Sequence, residues 1–394
     1  MTKIVVAEAR RTPFGKFGGA LRRCSSVDLG ARVVKAVLER SGVAPEAVSE
    51  TLFGSAILAG ATPVVARQIN FHAGIPDTTP SMTLDRACCS SMSCVGLGVL
   101  KIRAGDASVV IAGGADSSSQ TPYLLKDIRW ERRNGNLRMD DPMQFKNPIT
   151  NRPLATVTGE MALKYQVSRE EQDEWAVASH EKYFQAFDAG FYEDELVPMD
   201  GDSSNDEVLR IDESPRRTVS LEVIARLPTV YGSATVTAGN APGLNDGASA
   251  ILLASDIEAG RLGMYRLAEV VSYVQLSGDL ESSVYMPGNA IRKGLRDANL
   301  ALSDLKRIEI NEAFAAMPLV STKTMAESDV ALTSKLRSIT NVNGGAVAIG
   351  HPPGASGARV IMSLVRELRR GGGGYGAAAI CGGFGQADAV IVKV

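Results

Sequence analysis

Hydrophobic positions along the chain follow two periods. Ile4-Val5-Val6-Ala7 reads as a short strand, and Leu29, Val33, Val34, Val37 and Leu38 then recur at helical spacing across Ser26 to Ser41, with Ser26 or Asp28 placed to cap that helix. Thr51 to Ile57 predicts a buried strand, and Ala107 to Ala112, closed by Gly113-Gly114, predicts another. Strand and helix signals that alternate in this way favour α/β layers over a helical bundle. From about Thr121 to Asp212 the alternation is lost and charge accumulates at Lys126, Arg129, Arg132, Arg133 and Arg138, which predicts an elaborated insertion. Within it, Ser168 to Ala189 predicts a helix opened by a capping box of Ser168 and Glu171.

The pattern also repeats. Leu38 to Val48, followed by a strand, matches Leu295 to Leu305, also followed by a strand. Further on, Cys88 opens a small-residue helix over 90–104 that leads to the strand at 107–112 and Gly113-Gly114. Gly354-Ala-Ser-Gly357 opens a helix to Arg370, then Tyr375 to Cys381 and Gly382-Gly383. Two related halves in one chain create a junction at which both can aim groups into one pocket.

Composition narrows the function classes. The chain has 394 residues, 45% of them hydrophobic, enough for a large core and two or three domains' worth of material. A formal net charge of -2 lacks the basic excess of a general nucleic-acid binder. The first residues lack the apolar stretch of a secretory signal, and the expectation is that no run reaches the ~18 apolar residues of a membrane helix. A cytoplasmic protein with no membrane partner is the expectation. Five cysteines, at 24, 88, 89, 94 and 381, are an odd number in a core-rich chain and do not suggest a disulfide framework. No metal site is expected: Cys88, Cys89 and Cys94 form no CxxC pair, and His180-Glu181 begins a zinc motif whose second histidine position holds Phe184.

The remaining candidates carry covalent chemistry. Cys88 lies just before the predicted helix 90–104, where backbone N–H groups stabilise an anion and can lower a thiol pKa. The bland alternative is a small buried packing residue. His351 sits in a glycine-rich stretch, Asn343 to Gly357, which implies tight turns and close backbone approach; an imidazole there could take the Cys88 proton. Cys381 ends an apolar strand and precedes Gly382-Gly383-Phe384-Gly385, a turn able to present N–H groups to an oxyanion. A dinucleotide loop there would need a third glycine and a following helix, and the chain lacks both. Asn311, after the strand Arg307 to Ile310, could hold a water or cap the next helix; Glu312 could be a base or a first-turn acid.

Taken in order, the Cys88 segment, Asn311-Glu-Ala-Phe-Ala315, Gly350-His-Pro-x-Gly-Ala-Ser-Gly357 and Cys381-x-Gly383-x-Gly385 resemble the thiolase family over essentially the whole length. Ala9-Arg-Arg-Thr-Pro13, Thr235 to Ala241 and Leu244 to Ala248 agree with it. The resemblance implies a five-layered α-β-α-β-α fold of two similar halves, 1–120 with 247–272 and 273–394, and a loop domain inserted at 121–246. It implies an acyl-CoA acyltransferase in which Cys88 is acylated, His351 activates it, and Cys381 is acid or base at the α-carbon. The N–H groups of Cys88 and Gly383 would form one oxyanion hole, and His351 with a water on Asn311 the other. Coenzyme A would be substrate or product, not a resident cofactor, with Arg216 and Ala238 among its contacts. Dimers or dimers of dimers (tetramers) are implied.

Four departures fall near the substrate. Cys88-Cys89-Ser90-Ser91 replaces the common Cys-x-Ser-Gly, Pro242 a serine on the pantetheine arm, Leu154-Ala155 a His-Met pair, and Phe384 and Ala387 two glycines. Two alternatives are weighed. A ketoacyl synthase would pair one cysteine with two histidines or with His and Asn, and lack Cys381; a non-catalytic binding homologue would be free to lose Cys88, His351 or Cys381.

Overall fold

The computed structural model describes residues 2–59, 61–126, 128–130, 134–200 and 208–394. Arg132 and Arg133, counted above among the insertion's charges, lie outside the described residues.

The first half runs β1 (Ile4–Arg11), α1 (Ser26–Ser41), β2 (Glu50–Gly54), α2 (Val65–Ala73), β3 (Ser81–Leu84), α3 (Ser90–Ala104), β4 (Val109–Ser117) and β5 (Asn245–Ser255). The second runs β6 (Ala268–Ser277), α4 (Met286–Asp297), β7 (Leu305–Ile310), α5 (Ala316–Met325), α6 (Pro353–Arg370), β8 (Tyr375–Cys381) and β9 (Gln386–Lys393). Pairing repeats as well. β2 and β4 are parallel, β4 and β5 antiparallel, β5 and β1 antiparallel; β7 and β8 are parallel, β8 and β9 antiparallel, β9 and β6 antiparallel. A short β1–β6 contact joins the two sheets, giving the order β7-β8-β9-β6-β1-β5-β4-β2-β3.

Strand alternation sorts side chains into layers, because successive residues face opposite sides of a sheet. Ile4 and Val6 join the core between the two sheets, whereas Val5 and Ala7 join the outer core under α1 and α2. Ala378 and Ile380 face inward, Ala377 and Ala379 toward α4 and α5. α3 and α6 fill the middle and touch strands of both halves. The result is the five-layered α-β-α-β-α arrangement. α1 buries one stripe and exposes the other, but α3 is buried nearly all round, as a middle layer requires. The stretch Ala87–Ala104, α3 with the turn before it, has the length and mean hydropathy to cross a membrane, but Ser90, Ser91, Ser93, Lys101 and Arg103 interrupt its apolar run and most of it is buried inside the protein.

Several local expectations shift. The cap of α1 is Ser25, reciprocally bonded with Asp28, not Ser26 or Asp28 itself. Gly113-Gly114 does not close its strand: β4 continues to Ser117, and a Cβ at Gly114 would collide with the carbonyl oxygen of Gly354 at the start of α6. There the glycine permits close approach of helix to sheet. The insertion helix spans Arg169–Asp188 with the Ser168–Glu171 capping box. β6 spans Ala268–Ser277 and so runs across 272/273, and β5 begins at Asn245.

Candidate active site

Cys88 sits in a turn that its neighbours hold from several sides. Ala87 adopts φ 49°, a left-handed conformation costing about 1–2 kcal/mol for a residue with a Cβ. Asp85 Oδ1 accepts from Ala87 N at 2.8 Å, and Ser90 Oγ accepts from Arg86 N at 2.9 Å while donating to Ala87 O at 2.6 Å. The chain then enters α3 at Ser90, which leaves Cys88 half-buried just ahead of the helix.

His351 occupies the matching place in the other half, two residues before α6. Its Nε2 lies 3.3 Å from Cys88 Sγ, and its Nδ1 lies 2.7 Å from Ser356 Oγ. Ser356 donates its own hydrogen to Pro352 O at 2.8 Å, so it accepts from Nδ1–H. This assigns the tautomer: Nε2 carries the lone pair and faces the thiol. The backbone of His351 is fixed by Asn245, whose Oδ1 accepts from His351 N at 2.9 Å. Neither Ser356 nor Asn245 was assigned a role from the sequence, although both lie inside motifs quoted above; nothing in a linear pattern says which polar residue touches the imidazole.

Asn311 is fully buried and stands 3.5 Å from His351 Nδ1 through Nδ2, with its Oδ1 accepting from Arg359 at 3.2 Å. It caps no helix, since α5 begins at Ala316. Glu312 is neither a base nor a first-turn acid. It is buried and accepts from Trp175 Nε1, Ser179 Oγ, Asn341 Nδ2 and Val347 N at 2.8–3.0 Å, an anchor between insertion and second half.

Cys381 is 3% exposed at the end of β8. Burial pushes its thiol up to about 11, with the backbone N–H of the nearby Gly383 acting against that rise. Cys88 moves opposite to the sequence expectation. Burial, then the neighbouring Cys381 and Asp116, push its thiol up, outweighing any benefit of the helix start. Burial, and then the Arg359 charge, lower His351 to about 3. The resting pair is a neutral thiol and a neutral imidazole.

Three cavities meet here. One of about 320 Å³ is lined by Cys88, His351, Leu154, Ala155, Phe314 and Pro242 among others. Through the shared wall Ala238, Ala241, Pro242, Gly243 and Leu244 it adjoins an outer cavity of about 470 Å³ that carries Lys16 and Arg216. On the other side of Cys88, Phe145 and Leu154, a third of about 480 Å³ is walled by Ile57, Leu58, Pro148, Gly383 and Phe384. Among the described residues no group of three or more potential ligands is placed to hold a metal ion.

An acylatable thiol with a base at bonding distance, and a second, buried thiol near enough to raise the first, is an arrangement suited to covalent acyl transfer. Residues 4–256 match the family model for the thiolase N-terminal domain and 264–394 that for the thiolase C-terminal domain. The chain is 40% identical over 399 residues to an acetyl-CoA acetyltransferase of Cupriavidus necator, covering 100% of both chains. It is 35% identical to the mitochondrial 3-ketoacyl-CoA thiolase of Homo sapiens, covering 99% of this chain and 98% of that one. The crystal structure of the human mitochondrial enzyme in complex with CoA superposes with a TM-score of 0.94 at 35% identity, covering 100% of this chain and 98% of that chain. The chain belongs to the thiolase family and is an acyltransferase.

Proposed function

We propose that the chain cleaves 3-ketoacyl-CoA with free coenzyme A, and runs the reverse Claisen condensation, through an acyl group on Cys88. The 3.3 Å approach of His351 Nε2 to Cys88 Sγ carries this reading. In the cleavage direction, Cys88 attacks the 3-keto carbon as its proton passes to His351. The bond between C2 and C3 then breaks, leaving the acyl group on sulfur and an enolate of acetyl-CoA. Cys381 gives its proton to C2, the thiol of the incoming coenzyme A returns a proton to Cys381 as its sulfur takes the acyl group, and the departing Cys88 thiolate recovers the proton held by His351. A raised thiol pKa suits a group that must hold its proton until carbon needs it. With Cys88 raised and His351 lowered, no thiolate accumulates beforehand; charge develops on the substrate oxygen, where the N–H groups of Cys88 and Gly383 are the donors in this reading. His351 and a water on Asn311 serve the enolate oxygen. Losing one such donor costs about 3 kcal/mol of transition-state stabilisation.

Coenzyme A runs, in this proposal, from Lys16 and Arg216 at the outer cavity along Ala238 to Leu244 toward Cys88, placing phosphates beside cations. Pro242 lines that path where the family has a hydroxyl, so the pantetheine is held there by contact and not by a serine hydrogen bond. Leu154 and Phe145 border the third cavity, which has room for acyl groups larger than acetyl and supports a role in fatty-acid metabolism. The edge strand β3, with Met82 exposed, and the exposed Val64 and Phe71 of the α2 region support self-association into dimers or tetramers. Cys88, Cys89, Cys94 and Cys381 carry free thiols, which supports a reducing compartment, the cytoplasm in our reading.

The test is a chain-length series of 3-ketoacyl-CoA with free coenzyme A, run on wild type, Cys88→Ala and Cys381→Ala. Cleavage by wild type and its loss in both variants is the expected result. Failure of wild type to cleave any chain length would overturn the proposal.

A further inference from the structure

The proposed carbon–carbon step needs Cys88 and Cys381 at one carbon, yet the two stand on different halves, and apolar packing alone sets no angle between their loops. A polar cluster crosses that gap. Arg86, two residues before Cys88, donates through Nη1 to Asp388 Oδ1 at 2.5 Å and to Ser93 Oγ at 3.1 Å, and through Nε to Gln386 Oε1 at 3.1 Å. Asp388 is fully buried in β9, directly opposite Ile380, the residue before Cys381. Its Oδ2 accepts from Ser93 Oγ of α3 at 2.5 Å and from Tyr273 Oη of β6 at 3.0 Å. Beside it, Cys89 Sγ lies 3.4 Å from Ile380 O, and a Cβ at Gly382 would stand 2.9 Å from Cys89 Sγ and 3.0 Å from Arg86 O. The two loops are in contact, with no slack for a side chain between them.

This cluster lies beside the apolar core between the sheets, with Cys89 packed into that core. A buried ion pair is a poor way to gain stability, since apolar residues of similar volume often serve as well or better. What the guanidinium adds is geometry: its planar, rigid fork reaches Asp388 and Ser93 through Nη1 and Gln386 through Nε, fixing distance and direction. We infer that Arg86 and Asp388 are positioning residues that hold the Cys88 turn and the Cys381 strand end in the relative placement the carbon–carbon step requires. The inference rests on the roles proposed for the two cysteines. It assigns the pair no contact with the reacting atoms.

The experiment compares wild type with the double variant Arg86→Met/Asp388→Leu, which removes both charges together and leaves neither stranded. Expected is a folded protein whose iodoacetamide labelling of Cys88, and its protection by acyl-CoA, stay within about threefold of wild type, while kcat for 3-ketoacyl-CoA cleavage falls about 100-fold at unchanged KM, the loss that follows a displacement of about 1 Å. Arg86→Lys keeps the charge without the fork and should not restore kcat. Should the double variant fail to fold, Asp388→Asn carries the test, with about a tenfold fall in kcat, KM and labelling unchanged. Cleavage at the wild-type rate in the folded variant, or a fall in labelling equal to the fall in cleavage, overturns the inference. Wild type that labels at Cys88 but cleaves nothing would instead overturn the proposed function.

Discussion

The two halves share an element order but return to their sheets by different routes. The first leaves β4 at Ser117 and comes back only at Asn245, and the excursion between supplies Arg216, Ala238, Pro242 and Leu154 to the cavities. The second leaves β8 at Cys381 and returns at Gln386 through a glycine turn whose Gly383 N–H acts to lower the Cys381 thiol pKa. Matching positions have taken matching places but different chemistry. Cys88 and His351 each stand two residues before a middle-layer helix, one as thiol and one as base. Ser55 and Asn311 each follow a parallel strand. When the strand ends Gly54 and Ile310 are aligned, the pairings Gly54–Gly114 and Ile310–Ala379 bring Asp116 and Cys381 to the same position. Asp116 is spent on structure, accepting from Gly354 N, Ala56 N, Ile57 N and Ser55 Oγ. Cys381 keeps an acidic hydrogen. In the proposed reaction, one half supplies the docking path and the other the proton chemistry.

Substitutions at the matched positions separate these contributions, beginning with the largest effect. Cys88→Ser should lower acyl-enzyme formation by at least about 10⁴-fold, because a serine beside a neutral histidine is a far weaker nucleophile in this frame; rapid-quench detection of acyl-enzyme measures it. Cys381→Ala should retain transfer of an acyl group from thioester to Cys88 but lose about 10²–10⁴-fold in carbon–carbon cleavage, the range for removing a positioned acid–base group. Equal loss in both steps would erase the distinction between the two halves. Ser356→Ala removes the acceptor that selects the His351 tautomer and should cost roughly 10–100-fold in acylation, with KM little changed in steady-state assays.

The pH dependence follows from the directions of the shifts. A Cys88 thiol raised above its ordinary value remains protonated near neutrality, so its alkylation should climb steadily as pH rises, without the plateau of a preformed thiolate–imidazolium pair. His351, lowered to about 3, stays neutral across the accessible range, so no inflection near its usual value of about 6.5 should appear in a labelling profile. The smallest effect on chemistry is expected from Glu312→Gln. It turns one carboxylate oxygen, the acceptor for two of the four donors, into an amide donor and should cost about 1–3 kcal/mol of stability by thermal unfolding, with kcat in the folded protein near wild type.

Much of this site is legible in the linear pattern because its parts stand at element boundaries. The α3 span 90–104 and the α6 span to Arg370 follow from small-residue helices between strand signals, and those boundaries put Cys88, His351 and Cys381 at strand and helix ends. The partners that tune them are not legible. Asn245 meets His351, Arg359 meets Asn311, and Asp388 meets Arg86 across long sequence separations, and each reads locally as an ordinary polar residue of a strand or helix. The sign of the Cys88 shift was misjudged for the same reason. A helix start is visible in sequence, whereas the degree of burial and the nearness of a second thiol are properties of the assembled fold.

The most direct measurement is tandem mass spectrometry of the protein quenched during turnover with a 3-ketoacyl-CoA, comparing wild type with Cys381→Ala. The account predicts an acyl adduct on Cys88 after brief exposure to a simple acyl-CoA in both proteins, and its formation from the 3-ketoacyl substrate in wild type alone. An adduct on Cys89 or Cys94, or equal formation from the 3-ketoacyl substrate without Cys381, would contradict it.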